Sequence, residues 1–323
     1  MSRRRRTTAG QRGLALLTVL WVLSLLSVIA AGLIAQTHTE LQITRNMKET
    51  ARARALAEAG VFLAIPRFLD PAPETQWRAD GKERSIEYGG GEIRITLQDE
   101  GGKIDLNAAP DELLAGLFDV LGVSPDEAAR LVDAIADWKD EDDLRRVNGA
   151  EKDDYKRAGL SWVPRNGPFE AVEELRLVLG MTPALYERML PFVTIYSQVP
   201  RVNPATAPAE VLRALPGAGA EMIARFLAVR ARSETAVPAM PGLEQFLSST
   251  SPRAITIRSE GRTPGGGLFV REAVVDTTGK RDNPYLFRAW RQGHGVEPTE
   301  ATLPSTTSGS ATTAGFPLSA AGD

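Results

Sequence analysis

Residues 137–154 read DWKDEDDLRRVNGAEKDD, with eight acids and four bases. Carboxylates gathered on an irregular loop can supply the about six to eight oxygen ligands that Ca2+ takes. The spacing is not that of an EF-hand, and a solvated charged loop accounts for the same composition. Other chemistry finds few residues. The chain has no cysteine, which excludes disulfides, thiolate-bound zinc, iron–sulfur clusters and a cysteine nucleophile. Its two histidines, His38 and His294, lie at opposite ends of the sequence, so neither a multi-histidine metal site nor a Ser-His-Asp triad is expected. The glycine triplets at 89–91 and 265–267 lack the Lys-Ser/Thr of a phosphate loop and read as turns. The five tryptophans are scattered and read mostly as packing residues.

The acidic loop follows the first of three similar helical segments. These are DLNAAPDELL from 105 with LFDVLGVSPDEAARLVDAIADW, FEAVEEL from 169 with RLVLGMTPALYERMLPFVTIY, and VNPATAPAEVL from 202 with RALPGAGAEMIARFLAVR. Each has a helix-start signal, a leucine-rich turn, a glycine (Gly122, Gly180, Gly217) and a second amphipathic helix. Asn107 and Asn203 stand as expected N-caps. Ser124 and Thr182, each followed by proline, fit a cap with proline at the first helical position. The units resemble helix-hairpin-helix (SAM-like) modules, which often hold a DNA phosphate on the hairpin's backbone N–H groups. The LPGAG run at 215–219, with Arg225, Arg230 and Arg232 after it, is the best match. The other reading is a compact packing module. It is favoured by an acidic body and by the lack of a second glycine in the other copies.

The 323 residues allow about two domains of roughly 100–200 residues each, plus appendages. The net charge of −3 conceals an asymmetry: residues 1–13 hold five arginines and no acid. The 22 residues at 14–35, LALLTVLWVLSLLSVIAAGLIA, carry no charge. As a helix they span about 33 Å at about 1.5 Å per residue, enough to cross a hydrocarbon core. The arginines place the N-terminus in the cytoplasm and the body outside. A signal peptide and a buried core helix are the rivals, but the apolar run exceeds the about 7–15 residues of a signal peptide. It also continues without proline into a stretch where Ala51, Ala55, Leu56, Ala59, Phe62 and Leu63 recur at helical spacing. Pro66 is the first stop. One helix over 14–65 is therefore expected, its first half in lipid and its second half packed on the body.

Residues 85–98 read as two alternating runs around three glycines, a hairpin signal. AITIRSE, LFVREAVVD and YLFRAWR near the end are three further strands. The expected fold is α+β: a long N-terminal helix on a small antiparallel sheet, with a large all-α insertion. The chain divides into a leader (1–13), a transmembrane part (14–35), the rest of the helix with the first strands (36–98), an inserted helical domain (99–200), a second helical-hairpin segment (201–250), C-terminal strands (251–291) and a Ser/Thr/Gly/Ala/Pro-rich disordered tail (292–323).

The basic leader ending in glycine and the long helix resemble type IV pilins and pseudopilins. That resemblance places prepilin peptidase cleavage between Gly13 and Leu14. The family's Glu at the fifth mature position falls on Thr18, whose hydroxyl can bond to the helix's own backbone. A pilin Glu in lipid needs the amino terminus of a neighbouring subunit, so a subunit with Thr there suits the outermost position of a filament. With the helical insertion, ALAEAG at 55–60, DWKD at 137–140, GAE at 149–151 and EELR at 173–176, the sequence is similar to the protein K family of type II secretion minor pseudopilins over about residues 10–290. The resemblance implies a non-enzymatic tip subunit in the inner membrane, with a periplasmic body. Its implied partners are minor pseudopilins I and J, the major pseudopilin and prepilin peptidase, and no nucleic acid. It also implies Ca2+, with Asp137, Asp140, Asp142 and Glu151 matching the family pattern best and Asp143 and Asp154 next. Lys139 stands where an apolar residue is expected, and Arg145, Arg146 and Lys152 add positive charge, which leaves the number of ions open. The alternative function is a membrane-anchored DNA receptor, distinguished by steeply salt-dependent duplex binding.

Overall fold

The computed structural model describes residues 11–232, 238–249, 253–280 and 282–293. Most of the expected leader, up to residue 10, and the expected tail from 294 onward lie outside these residues.

Helix α1 (Gln11–Phe68) is one unbroken element of 58 residues. Within its apolar stretch, the Ser24 and Ser27 hydroxyls donate to the carbonyls of Leu20 and Leu23 at 2.9 and 2.8 Å. These polar side chains thus need nothing from lipid. Pro66 sits in the last turn, and the helix ends two residues beyond it.

The C-terminal half of α1 packs on a five-stranded antiparallel sheet of β1 (Asp80–Tyr88), β2 (Gly91–Asp99), β5 (Ala254–Arg262), β6 (Leu268–Asp276) and β7 (Leu286–Gln292), in the order β1-β2-β5-β6-β7. The β1–β2 turn uses Gly89 and Gly90 at φ 58° and 75°, the left-handed pair a tight hairpin requires. Strand β2 alternates strictly, turning Ile93, Ile95 and Leu97 toward the helix. Strand β1 begins at Asp80, earlier than its apolar alternation suggested, because its polar first half pairs with β2 as an exposed edge.

The buried stripe of α1 differs from the expected one. Ala53, Leu56, Ala57, Gly60, Val61, Ala64 and Ile65 face the sheet, while Ala51, Ala55 and Phe62 are exposed. The cause is close approach. A Cβ on Gly261 of β5 would collide with the Ala53 carbonyl, and one on Gly60 would meet Ser259 and Ile93. Small residues therefore line the contact. Phe62 lies beside the rings of Phe287 and Trp290 instead, at 6.0 and 5.7 Å between centroids.

Residues 100–253 leave β2 and return to its neighbour β5. They form a helical region with its own core. A two-residue strand β3 (Ile104–Asp105) pairs in parallel with β4 (Val193–Thr194) at its base. The first hairpin is α2 (Asp111–Val120) and α3 (Pro125–Lys139). Short α4 (Lys152–Arg157) follows the acidic loop. The second hairpin is a 3-10 turn at Val172–Leu177 followed by α5 (Pro183–Met189), so its first arm is not the α-helix the sequence suggests. The third is α6 (Ala209–Arg213) and α7 (Ala220–Arg232). Gly122, Gly180 and Gly217 all adopt positive φ at the hairpin bends. Ser124 and Thr182 cap α3 and α5 as expected. Asn107 and Asn203 do not cap: Pro110 and Pro208 occupy those positions. Asn107 instead brackets the backbone of Phe169, accepting its N–H at 2.8 Å and donating to its carbonyl at 3.0 Å. Hairpins one and three pack so tightly that a Cβ on Gly116 would strike the Ala214 carbonyl, and residues from both share one hydrophobic cluster.

Candidate functional site

The acidic loop starts at the end of α3. Asp133 and Asp137 lie one turn apart on the same face of that helix. Asp137 is fully buried, and its two oxygens accept the Arg146 N–H at 3.3 and 3.2 Å. Burial, with Asp140 nearby, raises its pKa despite that donor. Trp138, between the loop and the core, lies 6.1 Å from the Tyr155 ring and 6.2 Å from that of Phe169, which fixes the end of α3.

Glu151 precedes α4 and is 6% exposed. Neither of its carboxylate oxygens has a well-formed hydrogen bond. Burial, followed by the charges of Asp137, Asp140 and Asp143, pushes its pKa up to about 7, with only slight relief from the Lys152 N–H. One oxygen of Asp140 is also buried without a donor, and burial with Asp142 beside it raises that pKa too. Orphaned carboxylate oxygens in a field of like charge are the donor set a hard cation takes. The remaining expected ligands are engaged. Asp142 accepts the Leu144 N–H at 2.7 Å, and Asp143 accepts Asn166 Nδ2 at 3.0 Å. Asp154 accepts the Glu151 N–H at 2.9 Å and pairs with Arg145 and Arg157. Among the described residues, no three acidic side chains are gathered closely enough to cage an ion as they stand. The loop thus holds the donors in proximity rather than in a finished shell.

A second acidic constellation escaped the sequence reading. Asp99, Glu100 and Asp105 are all buried where the chain leaves the sheet. Glu100 accepts Thr256 of β5 at 2.6 Å, the Thr194 hydroxyl of β4, and Lys103 Nζ at 2.6 Å. Asp99 accepts Asn203 Nδ2 at 2.9 Å and the Thr206 hydroxyl at 2.8 Å. Asp105 accepts the Ser197 hydroxyl at 2.9 Å and the Gln198 N–H at 2.8 Å. These carboxylates have their donors and fasten the exit from β2 to segments about a hundred residues later. The available signal was QDEGGKID at 98–105, acids directly after a strand that alternates cleanly.

Two of the three arginines after the LPGAG bend are used within the chain. Arg225 pairs with Glu221 at 3.0 Å, and Arg230 donates to the Pro204 and Ala207 carbonyls at 2.8 and 2.7 Å. On α1, the window Leu16–Leu33 is long and apolar enough to cross a membrane, and none of it is buried. Thr18 lies within this window, and Gly13 and Leu14 lie just before it on the same helix.

Comparison with known proteins agrees with this architecture. A family model described as "Type II secretion system (T2SS), protein K" matches residues 95–198. Type II secretion system protein K of Klebsiella pneumoniae is 31% identical over 204 residues, covering 57% of this chain and 62% of that protein. The Pseudomonas aeruginosa protein of that name is 30% identical over 229 residues, covering 64% and 68%. The chain thus spans about two thirds of the length of these relatives, and less than that for the first. A crystal structure titled as the GspK–GspI–GspJ complex of enterotoxigenic Escherichia coli matches with a TM-score of 0.54 and 19% identity. It covers 80% of this chain and 100% of the matched one, a likeness of fold. A bare apolar helix running into a sheet, a helical region inserted between neighbouring strands, and these alignments lead to one conclusion: the chain belongs to the type II secretion system protein K family.

Proposed function

We propose that this protein is the tip subunit of a type II secretion pseudopilus. In this role it initiates assembly with minor pseudopilins I and J, ahead of the major pseudopilin, and supports export of folded proteins across the outer membrane. The observation that carries the reading is the 58-residue α1, half bare and apolar, half packed on the sheet, with Thr at position 18 instead of an acid. Such a rod anchors one subunit in the inner membrane with its body in the periplasm. Without a buried carboxylate it has no charge to offer the subunit ahead. Prepilin peptidase would cut between Gly13 and Leu14. The matched complex with GspI and GspJ supports the choice of partners. Duplex DNA is not a ligand in this reading: the body is acidic, and Arg230 is tied to the Pro204 and Ala207 carbonyls. Co-expression of the full chain with its cognate I and J subunits tests the proposal: detergent-solubilised material should co-purify as a ternary complex. Purification of the chain alone would refute it.

We also propose that the acidic loop binds Ca2+. The support is the pair of buried Glu151 oxygens, with no well-formed hydrogen bond, and the orphaned Asp140 oxygen. Glu151 and Asp140 are the principal ligands, with Asp143 near Glu151 and Asp142 near Asp140; Asp137 is taken up by the Arg146 N–H, and Asp154, in the first turn of α4, accepts the Glu151 N–H. The ion supplies charge neutralisation, orders the loop and stabilises the fold by mass action.

A further inference from the structure

The acidic cluster divides into two halves with different charge balance. In one, Asp111, Asp133 and Asp137 surround a cation the chain supplies itself. Arg146 Nη1 lies 2.6 Å from Asp111 and 3.9 Å from Asp133, and Nε lies 4.0 Å from Asp137. The same residue's backbone N–H donates to Asp137. Asp133 also accepts the Asn148 N–H and Nδ2, each at 3.0 Å. The Gly149 backbone is pressed so close that a Cβ there would collide with the Asp137 carboxylate. This half has part of its charge countered by Arg146 and much of its lone-pair capacity occupied, and it has little room left for a hydrated ion.

In the other half, Glu151 and Asp140 have no ion pair within 4.0 Å among the described residues, and Arg146 and Lys139 act on Asp140 only from farther off. Glu151 is nine-tenths buried with neither oxygen well bonded, and one Asp140 oxygen is equally bare. Two of the nearby bases are committed elsewhere. Arg145 pairs with Asp154, and Lys139 Nζ donates to the Leu106 carbonyl at 2.9 Å.

We propose that Arg146 is a built-in cation that occupies the Asp111–Asp133–Asp137 half, so that the chain takes a single divalent ion, at Glu151 and Asp140. This rests on the calcium reading above and settles the stoichiometry that the sequence left open. A guanidinium carries one positive charge on a planar fork and can bridge several carboxylates without a coordination shell. The geometry therefore assigns Arg146 the charge-neutralising work of an ion on that side of the loop.

Calorimetric titration of the chelator-stripped full chain in detergent with CaCl2 alone tests this. The wild type should bind about one ion per chain. Glu151→Gln, with its fold checked by circular dichroism, should bind none. Arg146→Gln should expose the second half and bind two, whereas Arg146→Lys should stay at one. Two ions in the wild type, one ion retained by Glu151→Gln, or no added ion in a folded Arg146→Gln would each overturn the arginine assignment while leaving calcium binding intact. If Arg146→Gln does not fold, the wild type and Glu151→Gln decide the matter. No binding by the wild type would overturn the calcium reading itself, and the arginine assignment with it.

Discussion

Glu151 stands in an environment that favours its neutral form, because burial and neighbouring charges both oppose ionisation. A bound cation reverses that balance. With Ca2+ at a hundred times its dissociation constant, the chain should gain about 2.7 kcal/mol. Thermal melts with and without EDTA should therefore differ, and Glu151→Gln should remove most of the difference. An EDTA-insensitive wild type would contradict calcium binding. Asp276 shows the opposite case. Burial works against its charge, but the Thr278 hydroxyl and N–H at 2.6 and 2.9 Å and Arg288 at 2.7 Å prevail, and its pKa falls to about 2. A carboxyl whose folded pKa is depressed adds stability that is present above its unfolded value, near 3.8, and is lost as pH falls toward 2. Arg288 is about half exposed, so solvent screening leaves on the order of 1–2 kcal/mol. Asp276→Asn should flatten the acid limb of the stability profile between about pH 4 and 2 and leave neutral pH as the place of largest loss. At this scale the sequence shows which residues are chemical and not which are already satisfied. Asp154 and Glu151 look alike in a charge run; only the fold gives one two arginines and the other no good donor.

At the scale of elements, α1 seats on the sheet through absent side chains. Gly261→Ala should push the helix off β5 by overpacking against Ala53 and Ala57, at a cost of about 1–3 kcal/mol. Gly32→Ala, with nothing within 4 Å, should cost nothing; chemical denaturation in detergent would compare them. The helix, the β1–β2 hairpin and the three C-terminal strands were legible because apolar spacing and glycine turns report them directly. The buried face of α1 was not, since a close contact selects alanine and glycine over the larger residues that mark an amphipathic stripe. The first arm of the second hairpin was misread as an α-helix for a related reason. Val172–Leu177 is short, and its Glu174 carboxylate takes the N–H groups of Glu170 and Ala171 at 3.1 and 3.2 Å, which suits a tight 3-10 turn.

At the scale of the whole molecule, two hydrophobic cores among the described residues, one between α1 and the sheet and one within the helical region, are joined at Asp99 and Glu100. Glu100→Ala would strand the hydroxyls of Thr194 and Thr256 and the mostly buried Lys103. A loss of about 3–5 kcal/mol is expected, and calorimetry should show the two cores melting separately where the wild type melts together. The apolar window Leu16–Leu33 of α1 contributes to neither core. The most direct test of the tip assignment uses the lack of native cysteine. A single Met47→Cys, at an α1 position 69% exposed, would carry a photo-reactive thiol label in cells assembling the filament. The account predicts adducts with minor pseudopilins I and J and none between copies of this chain; a ladder of self-adducts, spaced along the shaft, would contradict it.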